Sequence, residues 1–323
     1  MPHAPLRALA LSIGLGAILS GCAGRAPMAA APAPAGASPI VRVYDVKAAR
    51  YVDLSSMAAT LARADVVFFG EQHDDQATHA AELAVLAAVG ERRAHMVLSL
   101  EMFERDVQAL LDRYLAGTVG ESAFLAASRP WPQYTTDYRP LVELARVRGW
   151  PVIAANVPRR LASAVSRQGL RLLDTLNATD RGWMARDNRC PKDAYYTRFA
   201  ETMSDHGPGG GPPTATDTAA MRAMIDRFYE AQCVKDEAMA EAIADAIARA
   251  PTGTTALHVD GAFHSDFGLG TAERLRRRRP DARTVVLSAI PLADPMAADP
   301  AAHAGKADYL LFTKVVTKAP PAK

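Results

Sequence analysis

The stretch Ala64-Asp-Val-Val-Phe-Phe-Gly-Glu-Gln-His-Asp-Asp-Gln-Ala-Thr-His79 sets the reading of the whole chain. Residues 66–69 are a short apolar run of the size and residue type of a buried strand. The run stops at Gly70, and Glu71, His73, Asp74 and Asp75 follow before a helix-compatible segment begins near Ala77. Acids and histidines there would sit at the carboxyl end of a strand, where open α/β sheets bind ligands. Asp74 or Asp75 is also a candidate cap for the helix that follows.

The pattern repeats outward from this stretch. Residues 96–100 form an apolar run ending at Glu101, with a helical pattern over 105–116. Residues 151–157 read as a strand that contains Asn156 and leads into Arg159. Strand signals return at 255–259, followed by Gly261 and His264, and again at 284–288 and 309–312. A first strand is expected at 41–46, with helices at 54–62 behind Asp53, at 78–89 and at 141–148. From Arg160 to about Ala250 strand signals vanish, and residues 161–168, 170–176, 195–203 and 219–250 carry helical patterns. Alternating strands and helices imply a mostly parallel sheet covered on both faces. The fold expected is therefore a three-layer α/β/α domain over residues 41–323, with an α-helical insertion at about 160–250.

Four strand ends thus aim Glu71 with His73, Glu101, Asn156 with Arg159, and His264 at one rim. His73 and His264 can ligate a divalent metal or move protons near neutral pH. Glu71 and Glu101 can act as general bases, and Arg159 can hold a carboxylate or phosphate. There is no Gly-x-Ser-x-Gly nucleophile motif and no Gly-rich dinucleotide fingerprint. The residues by themselves leave open whether the rim is catalytic.

Composition narrows the setting. A net charge of +2 gives no reason to expect nucleic acid as a partner. The one basic cluster, Arg274 with Arg276, Arg277, Arg278 and Arg279, reads as a solvated helix end. Arg7 followed by an apolar core over residues 9–19 reads as a signal peptide spanning residues 1–21. Leu19-Ser20-Gly21-Cys22 resembles the lipobox of bacterial lipoproteins, which makes Cys22 the lipidated residue. Ala23 in the next position points to the outer membrane facing the periplasm, held there by acyl chains. Residues 22–40 then form an Ala/Pro/Gly tether. The two remaining cysteines, Cys190 and Cys233, are expected to pair in an oxidising compartment. No Cys-x-x-Cys-His run for covalent haem attachment is present.

Gly70-Glu-Gln-His-Asp-Asp75, Leu100-Glu-Met-Phe103, Ala155-Asn-Val-Pro-Arg159, Asp236 with Met239 and Ala240, and Gly261-Ala-Phe-His264 occur in that order. Together they resemble the ChaN family of bacterial haem-binding lipoproteins, related to the erythromycin-esterase and Tiki groups. The resemblance implies haem or another small molecule as ligand, with a homodimer as one way of holding it. It also implies an alternative, because the Tiki and esterase relatives are hydrolases, metal-dependent or metal-free. Their active-site positions match Gly70 to His73, Glu101, and Gly261 to His264 here. The family's haem ligands come from tyrosine and histidine in the helical region, for which Tyr195, Tyr196 and His206 are the candidates.

Overall fold

Alternation along the opening run sends Val66 and Phe68 to one face of a sheet and Val67 and Phe69 to the other. The computed structural model describes residues 40–205 and 215–315. In it the run becomes β3 (Val66–Glu71), a central and fully buried strand. The other strands are β1 (Ile40–Asp45), β2 (Arg50–Val52), β4 (Met96–Glu104), β5 (Val152–Asn156), β6 (Thr255–Gly261), β7 (Thr284–Leu292) and β8 (Tyr309–Lys314). They form one sheet in the order β2-β1-β8-β7-β3-β6-β4-β5. Pairing is parallel from β8 to β5, while β1 runs antiparallel to both β2 and β8.

Helices cover both faces. On the Val67/Phe69 face lie α1 (Leu54–Leu61), α2 (Gln76–Gly90), α3 (Gln108–Leu115), α4 (Glu121–Ser128), α5 (Tyr134–Asp137) and α6 (Arg139–Arg148). After β5 come α7 (Arg159–Gln168), α8 (Ala178–Trp183), α9 (Ala194–Asp205) and the long α10 (Ala215–Arg249), with no strand among the described residues. The carboxyl-terminal half of α10 and α11 (Gly270–Arg278) cover the Val66/Phe68 face. The expected three-layer architecture with a helical insertion is thus the observed one. Asp53 and Asp75 cap α1 and α2, accepting from the Ser56 and Thr78 amides at 2.6 and 2.7 Å. Among the described residues no helix is long and apolar enough to cross a membrane.

Two local readings change. β4 continues past Glu101 to Glu104, because its pairing with β5 shifts register between Leu100 and Glu104 instead of ending. The arginine cluster is a solvated helix end only in part, with Arg276 exposed. Arg274 is fully buried, and Arg277 and Arg278 each reach within 2.6 Å of the buried Glu237 on α10. Charge composition cannot reveal this, since Glu237 lies far away in sequence.

Cys190 and Cys233 form a disulfide that ties the segment before α9 to α10, closing a sequence separation of 43 residues. Removing it with Cys190→Ser should lower stability by up to about 4 kcal/mol on chain-entropy grounds. Urea unfolding of oxidised protein and of the variant measures the difference.

Candidate functional site

β3 ends in Glu71, a carboxylate that is only 2% exposed. Its Oε1 accepts from the Tyr138 hydroxyl at 2.7 Å and is bonded to Nδ1 of His73. Burial pushes the Glu71 carboxyl up, but the hydrogen bond from His73 and the His79 imidazole close behind it outweigh that and hold Glu71 below the usual carboxylate range. Burial likewise disfavours charge on His73, and the bond to Glu71 reverses it, leaving that imidazole raised. The His73 ring stands edge-on to Trp131 at 4.9 Å and lies against Gly261. A Cβ at Gly261 would sit 2.8 Å from both Cε1 and Nε2 of His73, so glycine is what admits the ring there.

The second half of the rim centres on His264. Its Nδ1 lies 2.7 Å from Asp236 Oδ1 on α10, and its Nε2 lies 3.3 Å from Glu101 Oε1. The other Glu101 oxygen accepts from the Gly261 amide at 2.8 Å, joining the two halves. Thr271 donates to the same Asp236 oxygen at 2.9 Å. Burial opposes charge on His264, yet Glu101 and Asp236 on either side push it up to about 10. His264 is therefore an imidazolium at neutral pH with both N–H groups engaged. The Gln232 amide approaches its Nε2 at 3.1 Å, and it meets that N–H favourably when its oxygen is turned towards the ring.

Behind Glu71 lies another cluster. His79 Nδ1 is 3.4 Å from Glu71 Oε2 and 3.3 Å from Glu82 Oε1. Its Nε2 is 3.1 Å from the His73 carbonyl and 3.5 Å from Asp137 Oδ2. Glu71 Oε2 is within ion-pair distance of His79 but makes no hydrogen bond. Burial and the neighbouring Glu71 charge push Glu82 well up. Burial disfavours the charged form of His79, but the Glu71 and Glu82 carboxyl groups beside it carry it to about 11.

The rim opens on a cavity of about 640 Å³ whose wall includes Glu71, His73, Glu101, Arg159 and His264. These expected residues are brought together. Trp131 and Phe263 add aromatic surface, while Arg198, Lys235 and Lys306 join Arg159 as cations around it. Tyr195 and Tyr196 do not line this cavity. Tyr195 is buried with its hydroxyl 3.3 Å from Gln232, and Tyr196 bonds Asp226 at 2.8 Å beside Lys192. His206 and Cys22 lie outside the described residues.

Several residues of the site were not singled out from sequence. The sequence places Gln232 and Asp236 four apart near one face of a helix, and Asp236 in an ordered motif, but gives neither a role at the rim. His79 and Glu82, three apart, carry a similar signal. Tyr138, Trp131, Arg198 and Lys306 carry none, because loops and crossovers bring them in.

The model for haem-binding uptake proteins of the Tiki superfamily, ChaN, matches residues 57–275. The chain belongs to the ChaN family. Among solved structures, ChaN of Campylobacter jejuni, described with cofacial haem binding, superposes at a TM-score of 0.60 and 15% identity. That match covers 84% of this chain and 96% of the other, and it establishes a shared fold. The type III effector HopBA1 gives 0.43 at 11% identity, over 81% of this chain and 94% of its own. Erythromycin esterase EreC gives 0.42 at 13% identity, over 82% and 80%. Comparison with curated proteins finds no match. The ChaN match begins within α1 and ends within α11, so it includes every rim residue named above except Lys306.

The charge pattern around His264 has a measurable consequence. Its folded value of about 10 lies above the ordinary 6.5, so its stabilising effect is complete below pH 6.5 and is lost as pH rises through about 10. In Asp236→Asn the His264 midpoint should fall by about 1–3 pH units. Histidine-resolved NMR titration of the two proteins tests this.

Proposed function

We propose that this ChaN-family chain binds haem in the bacterial envelope, anchored through Cys22 to the periplasmic face of the outer membrane, and serves haem or iron acquisition or handling. The observation that carries the reading is His73. Its Nδ1 is engaged by Glu71, while its Nε2 makes no hydrogen bond among the described residues and sits in the wall of a cavity of about 640 Å³. That volume is within the range of small-molecule and cofactor sites, about 300–1,000 Å³. The residues present fit the group: His73 would hold the iron, Trp131 and Phe263 would lie against the macrocycle, and Arg159 and Lys235 would pair with its carboxylates. Haem would supply an iron that accepts an imidazole ligand. Glu71 fixes the tautomer that leaves Nε2 available.

Titrating haem into lipid-free protein at micromolar concentration should give a saturable Soret band. His73→Ala should abolish or shift it, and Arg159→Ala should weaken binding by about tenfold. A band unchanged in His73→Ala but lost in Tyr196→Phe or Tyr195→Phe moves the ligand to the helical insertion. No saturable band from the wild-type protein removes the reading.

A second reading is favoured by the arrangement of Glu71–His73 and Asp236–His264. A carboxylate-oriented imidazole facing a cavity is the arrangement of a general base, and the His264 imidazolium on the same cavity wall adds positive charge that favours developing negative charge. In a hydrolase of this kind His73 Nε2 would take the proton of the attacking water, once deprotonated above its raised pKa. Ester or peptide turnover should then rise with pH and fall by about 10²–10⁴-fold in Glu71→Gln or His264→Ala with the fold intact. Undiminished turnover in both variants, checked by circular dichroism, excludes these residues from the chemistry.

A further inference from the structure

We propose that Glu71, His79 and Glu82 form a buried binding site for one divalent transition-metal ion of the zinc type, distinct from the rim cavity. Each offers one ligand atom, and the three atoms lie within 4.8 Å of one another. The spacing is the first argument. His79 Nδ1 stands 3.4 Å from Glu71 Oε2 and 3.3 Å from Glu82 Oε1. Those separations are long for N–H···O hydrogen bonds. They match the edge of a tetrahedron with metal–ligand bonds of about 2.0–2.1 Å, which is about 3.3–3.4 Å.

The second argument is what the remaining atoms do. A metal-ligating histidine normally donates its other ring N–H to a carbonyl or carboxylate, which fixes the ring and leaves the ligating nitrogen bare. His79 does this through Nε2, 3.1 Å from the His73 carbonyl and 3.5 Å from Asp137. The ligating Glu71 is held in turn by Tyr138 and His73 on its other oxygen. Glu71 Oε2 itself is buried and without a hydrogen bond, an unmet acceptor facing the cluster.

Charge and donor type narrow the ion. An ion entering here displaces the protons on His79 and Glu82, and the two carboxylates and neutral imidazole that remain carry two negative charges, which a dication neutralises in a place where isolated anions are costly. An imidazole donor disfavours calcium, and magnesium's octahedron, with bonds of about 2.0–2.1 Å, has edges near 2.8–3.0 Å, too short for this set. Zinc accepts the nitrogen and oxygen donors and the spacing. Three protein donors leave the fourth position to a water or to the second oxygen of a glutamate. Because Glu71 serves His73 with one oxygen and this cluster with the other, an ion here would fix the base of the rim without entering the cavity.

The test uses the full chain, purified without chelator, then stripped and titrated with Zn²⁺ alone. One equivalent should bind per chain and raise the melting temperature. Glu82→Gln and His79→Gln should each weaken it by at least about 100-fold, while His73→Ala, which removes an orienting bond to Glu71 but no ligand, should cost less than either. Co²⁺ added to the wild-type protein should give the intense visible bands of four-coordinate nitrogen–oxygen ligation, a readout independent of any variant's folding. The proposal fails if wild-type protein shows no saturable Zn²⁺ binding at micromolar concentration, or if Co²⁺ gives no four-coordinate spectrum. It also fails if binding survives in both cluster variants, or is lost in His73→Ala and kept in Glu82→Gln. None of these outcomes depends on the Soret titration, so the haem reading stands or falls separately.

Discussion

Glu71 is a carboxylate with almost no solvent contact at the end of the central strand, and an unpaired ion in such a place costs several kcal/mol. Its partners are therefore not optional. Tyr138, at the junction of α5 and α6, must point its hydroxyl down to one oxygen, and His73 must turn its Nδ1 back towards the strand it has just left. His79, one turn into α2, must stand behind the other oxygen. The course of the loop after β3 and the packing of α2 and α5 against the sheet all follow from solvating this one group by protein.

Three histidines around the rim show how far environment decides protonation. His264, between Glu101 and Asp236, is driven up to about 10 despite full burial. His258 is equally buried on β6, but desolvation dominates and takes it down to about 4. Its Nδ1 lies 2.9 Å from the Ser99 hydroxyl. Asp260, 3.6 Å from it, is pushed well up by burial, so the two are neutral neighbours rather than an ion pair. His73 is the one with solvent access, its side chain 43% exposed, so its unengaged second nitrogen can be reached from the cavity. The same chemical group is a fixed cation, a neutral core residue and an accessible ligand or base within one sheet edge.

The helical insertion completes the site. α10 contributes Gln232, Lys235 and Asp236 to the rim region. Its position is secured on one side by the disulfide and on the other by Glu237, on which Arg274, Arg277 and Arg278 of α11 converge. Gly270 opens α11 at φ +54, where a Cβ would meet the His264 carbonyl at 2.3 Å. That close approach allows α11, α10 and the His264 loop to meet around Asp236.

Residue order alone settled the sheet-and-helix alternation, the insertion between β5 and β6, and the gathering of Glu71, His73, Glu101, Arg159 and His264. Each of these rests on a local signal: an apolar run, a glycine that ends it, and a reactive side chain next along the chain. The edge strand β2 and the short helices α4, α5 and α8 escaped, because three to eight residues carry too little periodicity to read. The partners of those site residues were decided only by tertiary structure. Tyr138 reaches Glu71 across 67 positions, Asp236 reaches His264 across 28, and Glu101 reaches the Gly261 amide across 160. Sequence thus fixes which groups stand at the strand ends. Their charge and available atoms depend on desolvation and on neighbours supplied by other elements, and those exist only once the chain has folded.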